Sequence, residues 1–128
     1  MDLGLKGRKA IIPGGSRGLG RAPAETLAAE GCDVAICSRG ADGVEEAKKS
    51  LEAKGVKVFA QAVDVGDKDA LEGFMAAAIE ALGGLDILVS NPSGGNGVDE
   101  AAWKGNFDVD LMGAVRSVNS AVKALSAS

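Results

Sequence analysis

Four short apolar runs, at residues 9–12, 33–37, 56–62 and 85–89, alternate without interruption with longer segments of helical periodicity. Apolar strands separated by crossover helices can pack only as a parallel sheet with helices on its faces, so the pattern predicts a β-α-β-α-β-α-β-α chain. The first helical segment, residues 19–30, ends at Gly31, which can take the left-handed conformation of a helix terminus. In the second, Val44, Ala47 and Leu51 share a face, and Glu45 pairs with Lys49 on the solvated side. The third begins near Asp67 with acids in its first turn and runs through Leu71, Phe74, Ala78 and Leu82 to Gly83-Gly84. The fourth, residues 101–125, is the longest, with Phe107, Leu111, Val115, Val118, Val122 and Leu125 along one stripe. At 128 residues the chain makes one domain, residues 1–128, with no linker, low-complexity tract or further repeat.

Composition removes several kinds of chemistry. Fourteen basic against 18 acidic residues give a net charge of −4, so a nucleic-acid partner is not expected. His and Tyr are both absent, which excludes imidazole bases, His-ligated metals and phenolic proton donors from this chain. Cys32 and Cys37 match neither a C-x-x-C pair nor half a zinc site and read as buried packing residues. No stretch resembles a secretory leader, and no apolar run approaches the ~20 residues that span a bilayer, so no membrane partner and a reducing cytoplasm are expected.

Directly after the first strand come Gly14-Gly15-Ser16-Arg17-Gly18-Leu19-Gly20, and the first helix follows at once. Between a strand and a helix, missing Cβ atoms let a pyrophosphate approach the backbone while N–H groups of the helix start point at the anion. Three residues separate Gly14 from Gly18, a spacing unlike G-x-G-x-x-G. Gly14-x-x-x-Gly18-x-Gly20 resembles the opening motif T-G-x-x-x-G-x-G of the short-chain dehydrogenase/reductase family.

Other residues fall where that family would have them. Ser38-Arg39 ends the second strand where an NAD-preferring member usually offers a carboxylate to the ribose. With no acid there, Arg39, helped by Arg17, can form paired charge-assisted bonds to a 2′-phosphate, so NADP(H) is expected in preference to NAD(H). Asp64-Val65 resembles the family's pair flanking the adenine ring, and Ser90-Asn91-Pro92-Ser93-Gly94 stands where the family has N-N-A-G, with Asn91 the surviving match. The resemblance covers essentially the whole chain. It implies a Rossmann-like three-layer α/β/α fold with a four-stranded parallel sheet in the order 3-2-1-4, truncated after the fourth βα unit. The cofactor-binding residues it implies are Gly14, Ser16, Arg17, Gly18, Leu19, Gly20, Ser38, Arg39, Asp64, Val65 and Asn91.

The sequence also departs from the family. The family's catalytic serine and Tyr-x-x-x-Lys lie on elements this chain does not reach, and no tyrosine occurs anywhere in it. The resemblance therefore implies an NADP(H)-binding half of an oxidoreductase, like those that reduce 3-oxoacyl groups, without activity of its own and without catalytic residues of its own. The alternative is a non-catalytic assembly module with a degraded site. Pro13 replaces the motif's threonine, Pro92-Ser93 replace a small Ala-Gly pair, and Asp110 stands for a helix asparagine. Pro23 lies four or five residues inside the expected start of the first helix, where a proline is costly unless the helix begins later; with a start near Ala22 it would be a tolerated first-turn residue. The fourth strand, internal in the family's sheet, is left with an open edge, and the last helix with part of its stripe uncovered. Both predict a homo-oligomer formed through the fourth-strand edge or helix 101–125.

Overall fold

The computed structural model describes residues 3–14, 18–90, 99–101, 104 and 107–128. Strands β1 (Lys9–Pro13), β2 (Asp33–Ser38), β3 (Val58–Ala62) and β4 (Ile87–Leu88) form one parallel sheet in the order β3-β2-β1-β4. Helices α1 (Gly18–Ala29), α2 (Ala41–Glu52) and α3 (Lys68–Leu82) cross between successive strands, and a π-helical segment (Phe107–Met112) leads into α4 (Gly113–Ser126). The Rossmann-like α/β architecture and the order 3-2-1-4 are as expected.

Strand alternation builds two cores. Ile11, Ala35, Cys37, Phe59 and Leu88 point to one face and pack with Leu71, Phe74, Met75 and Ala78 of α3 and Ala121 of α4. Their neighbours Ala10, Ile12, Val34, Ile36, Val58, Ala60 and Ile87 point to the other, against Ala24 and Ala28 of α1 and Ala47 and Leu51 of α2. The inner strands are apolar on both sides because helices cover both. Both cysteines are free and buried, and burial pushes the Cys37 thiol up to about 11.

The helix ends follow local chemistry. Asp67 caps α3 by accepting from the Ala70 N–H at 3.1 Å, and Gly83 ends it in the left-handed conformation at φ 80°. Gly31 takes φ 91° where an added Cβ would lie 3.2 Å from the Lys6 backbone, so both conformation and space require glycine.

The first helix begins at Gly18, as the periodicity from Leu19 suggested, and carries Pro23 inside it, where the missing N–H leaves the carbonyl four residues back without its helical donor. Two expectations are corrected. The fourth strand is two residues long, because Leu85 is buried before it and Asp86 turns its carboxylate back onto the Lys9 N–H at 2.9 Å. The last helix is not uniformly α: residues 107–112 are π-helical, a widening with no periodic signature in the sequence.

Glu25 ties α1 to α2. It accepts from Ser50 Oγ at 2.8 Å and Arg21 Nε at 3.2 Å, and pairs with Lys54 Nζ at 3.3 Å. The Ser50 hydroxyl bond, against a smaller opposing effect of burial, and then Arg21 and Lys54, hold its carboxyl below the ordinary glutamate range. A carboxylate depressed in the fold contributes stability that is present above the unfolded-chain value and lost as pH falls through the folded one. Glu25→Gln is therefore expected to be less stable than wild type at neutral pH, with the gap closing below about pH 4. Urea unfolding at both pH values checks this, and a gap independent of pH overturns it.

Candidate functional site

The register of the sheet sets the site. Pro13 pairs with Cys37, Cys37 with Gln61, and Ser38 with Ala62, so β1, β2 and β3 finish side by side. At a strand spacing of ~4.8 Å, the residues that follow them form a row about 10 Å across at the carboxyl edge of the sheet. Open parallel sheets bind ligands along this edge, beside the reversal of strand order, which here falls between β1 and β4.

Gly14 leads out of β1 with φ 80°, a conformation that favours glycine, and its N–H donates to the Cys37 carbonyl at 2.7 Å. Pro13 precedes it without breaking the β1–β2 ladder. Alternation puts its nitrogen on the β4 side with Ile11, whose carbonyl accepts from Val89 at 3.0 Å. Gly18, Leu19 and Gly20 form the first turn of α1, whose leading N–H groups have no intrahelical acceptor. Ser16 and Arg17 lie outside the described residues, as do Asn91, Pro92 and Ser93.

Ser38 is the last residue of β2, half-buried, and its carbonyl accepts from the Val63 N–H at 2.8 Å. Arg39 follows it, exposed, and α2 starts two residues later with no side-chain cap. Beyond β3, Val65 is buried while Asp64 is exposed. Asp64 Oδ1 accepts from the Gly66 N–H at 2.9 Å, and its carbonyl accepts from Asp67 at 3.0 Å, making a tight turn into α3. Of the residues singled out from sequence, the structure thus brings Gly14, Gly18, Leu19, Gly20, Ser38, Arg39, Asp64 and Val65 to one edge.

Sequence reasoning passed over Gly66, Val109 and Arg116. Arg116 Nη1 donates to the Gly66 carbonyl across 3.4 Å, and Val109 of the π-helical segment lies against the same glycine. The one available signal was an arginine among the small and apolar residues of the last helix. Asp110 falls in the π-helical segment. Among the described residues no cluster of His, Cys, Asp or Glu could hold a metal ion, and no helix is long and apolar enough to cross a membrane.

With this geometry in place, comparison with known proteins is consistent from every side. The pattern of the short chain dehydrogenase family matches residues 8–128. A glycine betaine reductase of Emericella nidulans is 38% identical over 125 residues, covering 92% of this chain and 10% of that protein. The L-sorbose reductase of Gluconobacter frateurii, solved with NADPH and L-sorbose, superposes with a TM-score of 0.91 at 34% identity over 99% of this chain and 51% of its own. The carveol dehydrogenase of Mycobacterium avium, solved with NAD, gives 0.87 at 26% identity over 95% of this chain and 50% of its own. The chain spans about half the length of such solved relatives. A glycine turn between β1 and α1, a sheet ordered 3-2-1-4 and a family pattern running from Arg8 to Ser128 together place this chain in the short-chain dehydrogenase family.

Proposed function

We propose that this chain is the NADP(H)-binding half of a short-chain oxidoreductase and supplies cofactor recognition without proton transfer. The observation that carries the reading is the row of Gly14, Arg39 and Asp64 at the ends of three adjacent strands, beside the amino end of α1. In this reading residues 14–20 receive the pyrophosphate on backbone N–H groups, with Ser16 and Arg17 beside it. Arg39 next to Ser38 takes the 2′-phosphate, Asp64 and Val65 flank the adenine, and Asn91 borders the nicotinamide-side ribose. The residues fit such a ligand in kind: a glycine in the left-handed region at the close approach, an exposed guanidinium after β2, and an exposed carboxylate beside a buried valine after β3. Bound NADP(H) supplies the hydride chemistry. The proton donor has to come from elsewhere, since neither Tyr nor His occurs in this sequence.

Calorimetric titration tests the reading. NADPH is expected to bind in the micromolar range, and Arg39→Ala to weaken it by about tenfold to a hundredfold through loss of charge-assisted bonds, with NADH unchanged. Binding weaker than millimolar, or an Arg39→Ala variant that treats both cofactors as wild type does, overturns it.

A second reading, an assembly module, is favoured by one observation. Phe107, Leu111, Val115, Val118 and Val122 remain 39–54% exposed in a row along the last helix. The row holds no charged residue, so it is complementary to itself and suits a second copy of this chain across a twofold axis. Of the two association routes, β4 is too short to template another strand. We therefore assign self-association to the helix face, which leaves the carboxyl ends of β1, β2 and β3 to the cofactor. The two free cysteines suit a reducing, cytoplasmic setting.

A further inference from the structure

Two contacts join the last helical segment to the turn that enters α3, although they lie far apart in sequence. Arg116, half-buried on α4, donates from Nη1 to the Gly66 carbonyl at 3.4 Å. Val109 packs so near that a Cβ on Gly66 would come within 3.3 Å of its Cγ2 and 3.2 Å of Asp64 Oδ1. The Gly66 N–H in turn donates to that same Oδ1 at 2.9 Å. Glycine has the widest backbone freedom of any residue, so a carboxylate oriented by a glycine N–H is only as fixed as the glycine itself. Here the carbonyl side of Gly66 is held by a guanidinium and its Cα by a valine, both from the last helical segment.

We propose that Arg116 is a positioning residue for the adenine seat: by holding the Gly66 carbonyl it fixes the peptide that aims the Asp64 carboxylate. This rests on reading Asp64 and Val65 as the adenine contact. Oδ1 is occupied by the Gly66 N–H, which leaves the second oxygen of an exposed carboxylate to accept from the exocyclic amine in that reading. The consequence is that α4, the helix bearing the exposed apolar row, and the dinucleotide edge are linked through one backbone carbonyl.

A double-mutant cycle on the full chain, read by calorimetry with NADPH and with adenosine 2′,5′-bisphosphate, tests this. Arg116→Gln is expected to weaken both ligands about fivefold to tenfold, and Arg116→Lys to recover most of the loss. In an Asp64→Ala background, Arg116→Gln is expected to cost less than about twofold, because it acts only through that carboxylate. Equal losses in both backgrounds, the mark of a general structural role, overturn the inference. So does full affinity in Arg116→Gln while Asp64→Ala is weakened, a result that leaves the adenine seat standing. Full affinity in Asp64→Ala instead removes the seat itself and Arg116's role with it. Should Arg116→Gln not fold, Gly66→Ala leaves the arginine in place and crowds the same carboxylate. Loss of affinity is expected there too, and full affinity overturns the inference.

Discussion

Phe74→Ala is expected to lose about 3–5 kcal/mol of folding stability, against the roughly 5–15 kcal/mol that a domain ordinarily has. Phe74 on α3 is fully buried, and its ring stacks on Phe59 of β3 with centroids 5.9 Å apart. The chain has only three phenylalanines, one tryptophan and no tyrosine, and among the described residues Phe74 is the largest fully buried side chain, in a core otherwise of Ile, Leu, Val, Met, Cys and Ala. Its alanines have nothing to extend into a void, and Leu71 and Met75 on the same helix are already fully packed. The cavity would therefore persist, and each ~24 cal/mol per Å³ of it would be felt on top of the lost transfer energy. Urea unfolding followed by circular dichroism measures the difference. Phe74→Leu, which keeps most of the volume, should cost about 1–2 kcal/mol. A Phe74→Ala loss under about 1 kcal/mol would show that α3 rather than the side chain holds this layer together.

Introducing two charges on α4 should abolish self-association. Val118 and Val122 are 46% and 49% exposed and sit one helical turn apart at the carboxyl end of the apolar row, on α4 itself. Across a twofold axis Val118→Glu/Val122→Glu removes four apolar contacts and opposes four like charges. Even after the costs of ordering an interface, about 3 kcal/mol or more should be lost, at least a hundredfold in the dimer constant. Wild type is expected to sediment as a dimer at micromolar concentration and the variant as a monomer, with unchanged helix content. Wild type that remains monomeric up to ~100 μM refutes the helix face as an interface, because an apolar face of this kind in a standard contact of ~800 Å² per partner should hold at that concentration.

Much of this fold was legible because local and tertiary demands agree. Gly31 and Gly83 end helices in the left-handed region, Asp67 caps α3, and Val44, Ala47 and Leu51 are the buried residues of α2, each as the sequence suggested. The last helix was legible in its period and not in its partner. Its apolar stripe is largely exposed, as its missing cover suggested, but the buried face was not legible: Gly113, Ser117 and Ala121 are the residues buried, because small side chains let α4 approach α3 closely. Periodicity finds an amphipathic face; only the neighbouring surface decides which face is used. Pro23 left the start of α1 open in the sequence. A proline sets a local cost that a later start would avoid, and the helix begins at Gly18 nonetheless, with Ala24 and Ala28 buried against the sheet. The positions of Gly14, Arg39 and Asp64 at the carboxyl edge of the sheet were legible because each follows a strand. Arg116 was not, because its role depends on a contact 50 residues away that no local pattern encodes.

The close seating of α4 on α3 has a practical result for anyone following this protein by fluorescence. A folded monomer that keeps Phe107, Leu111, Val115, Val118 and Val122 in water presents a greasy ridge to environment-sensitive dyes such as anilinonaphthalene sulfonate. Bright emission from the dye is then a property of the native protein and not the sign of a molten globule, and it should dim as concentration rises and copies pair.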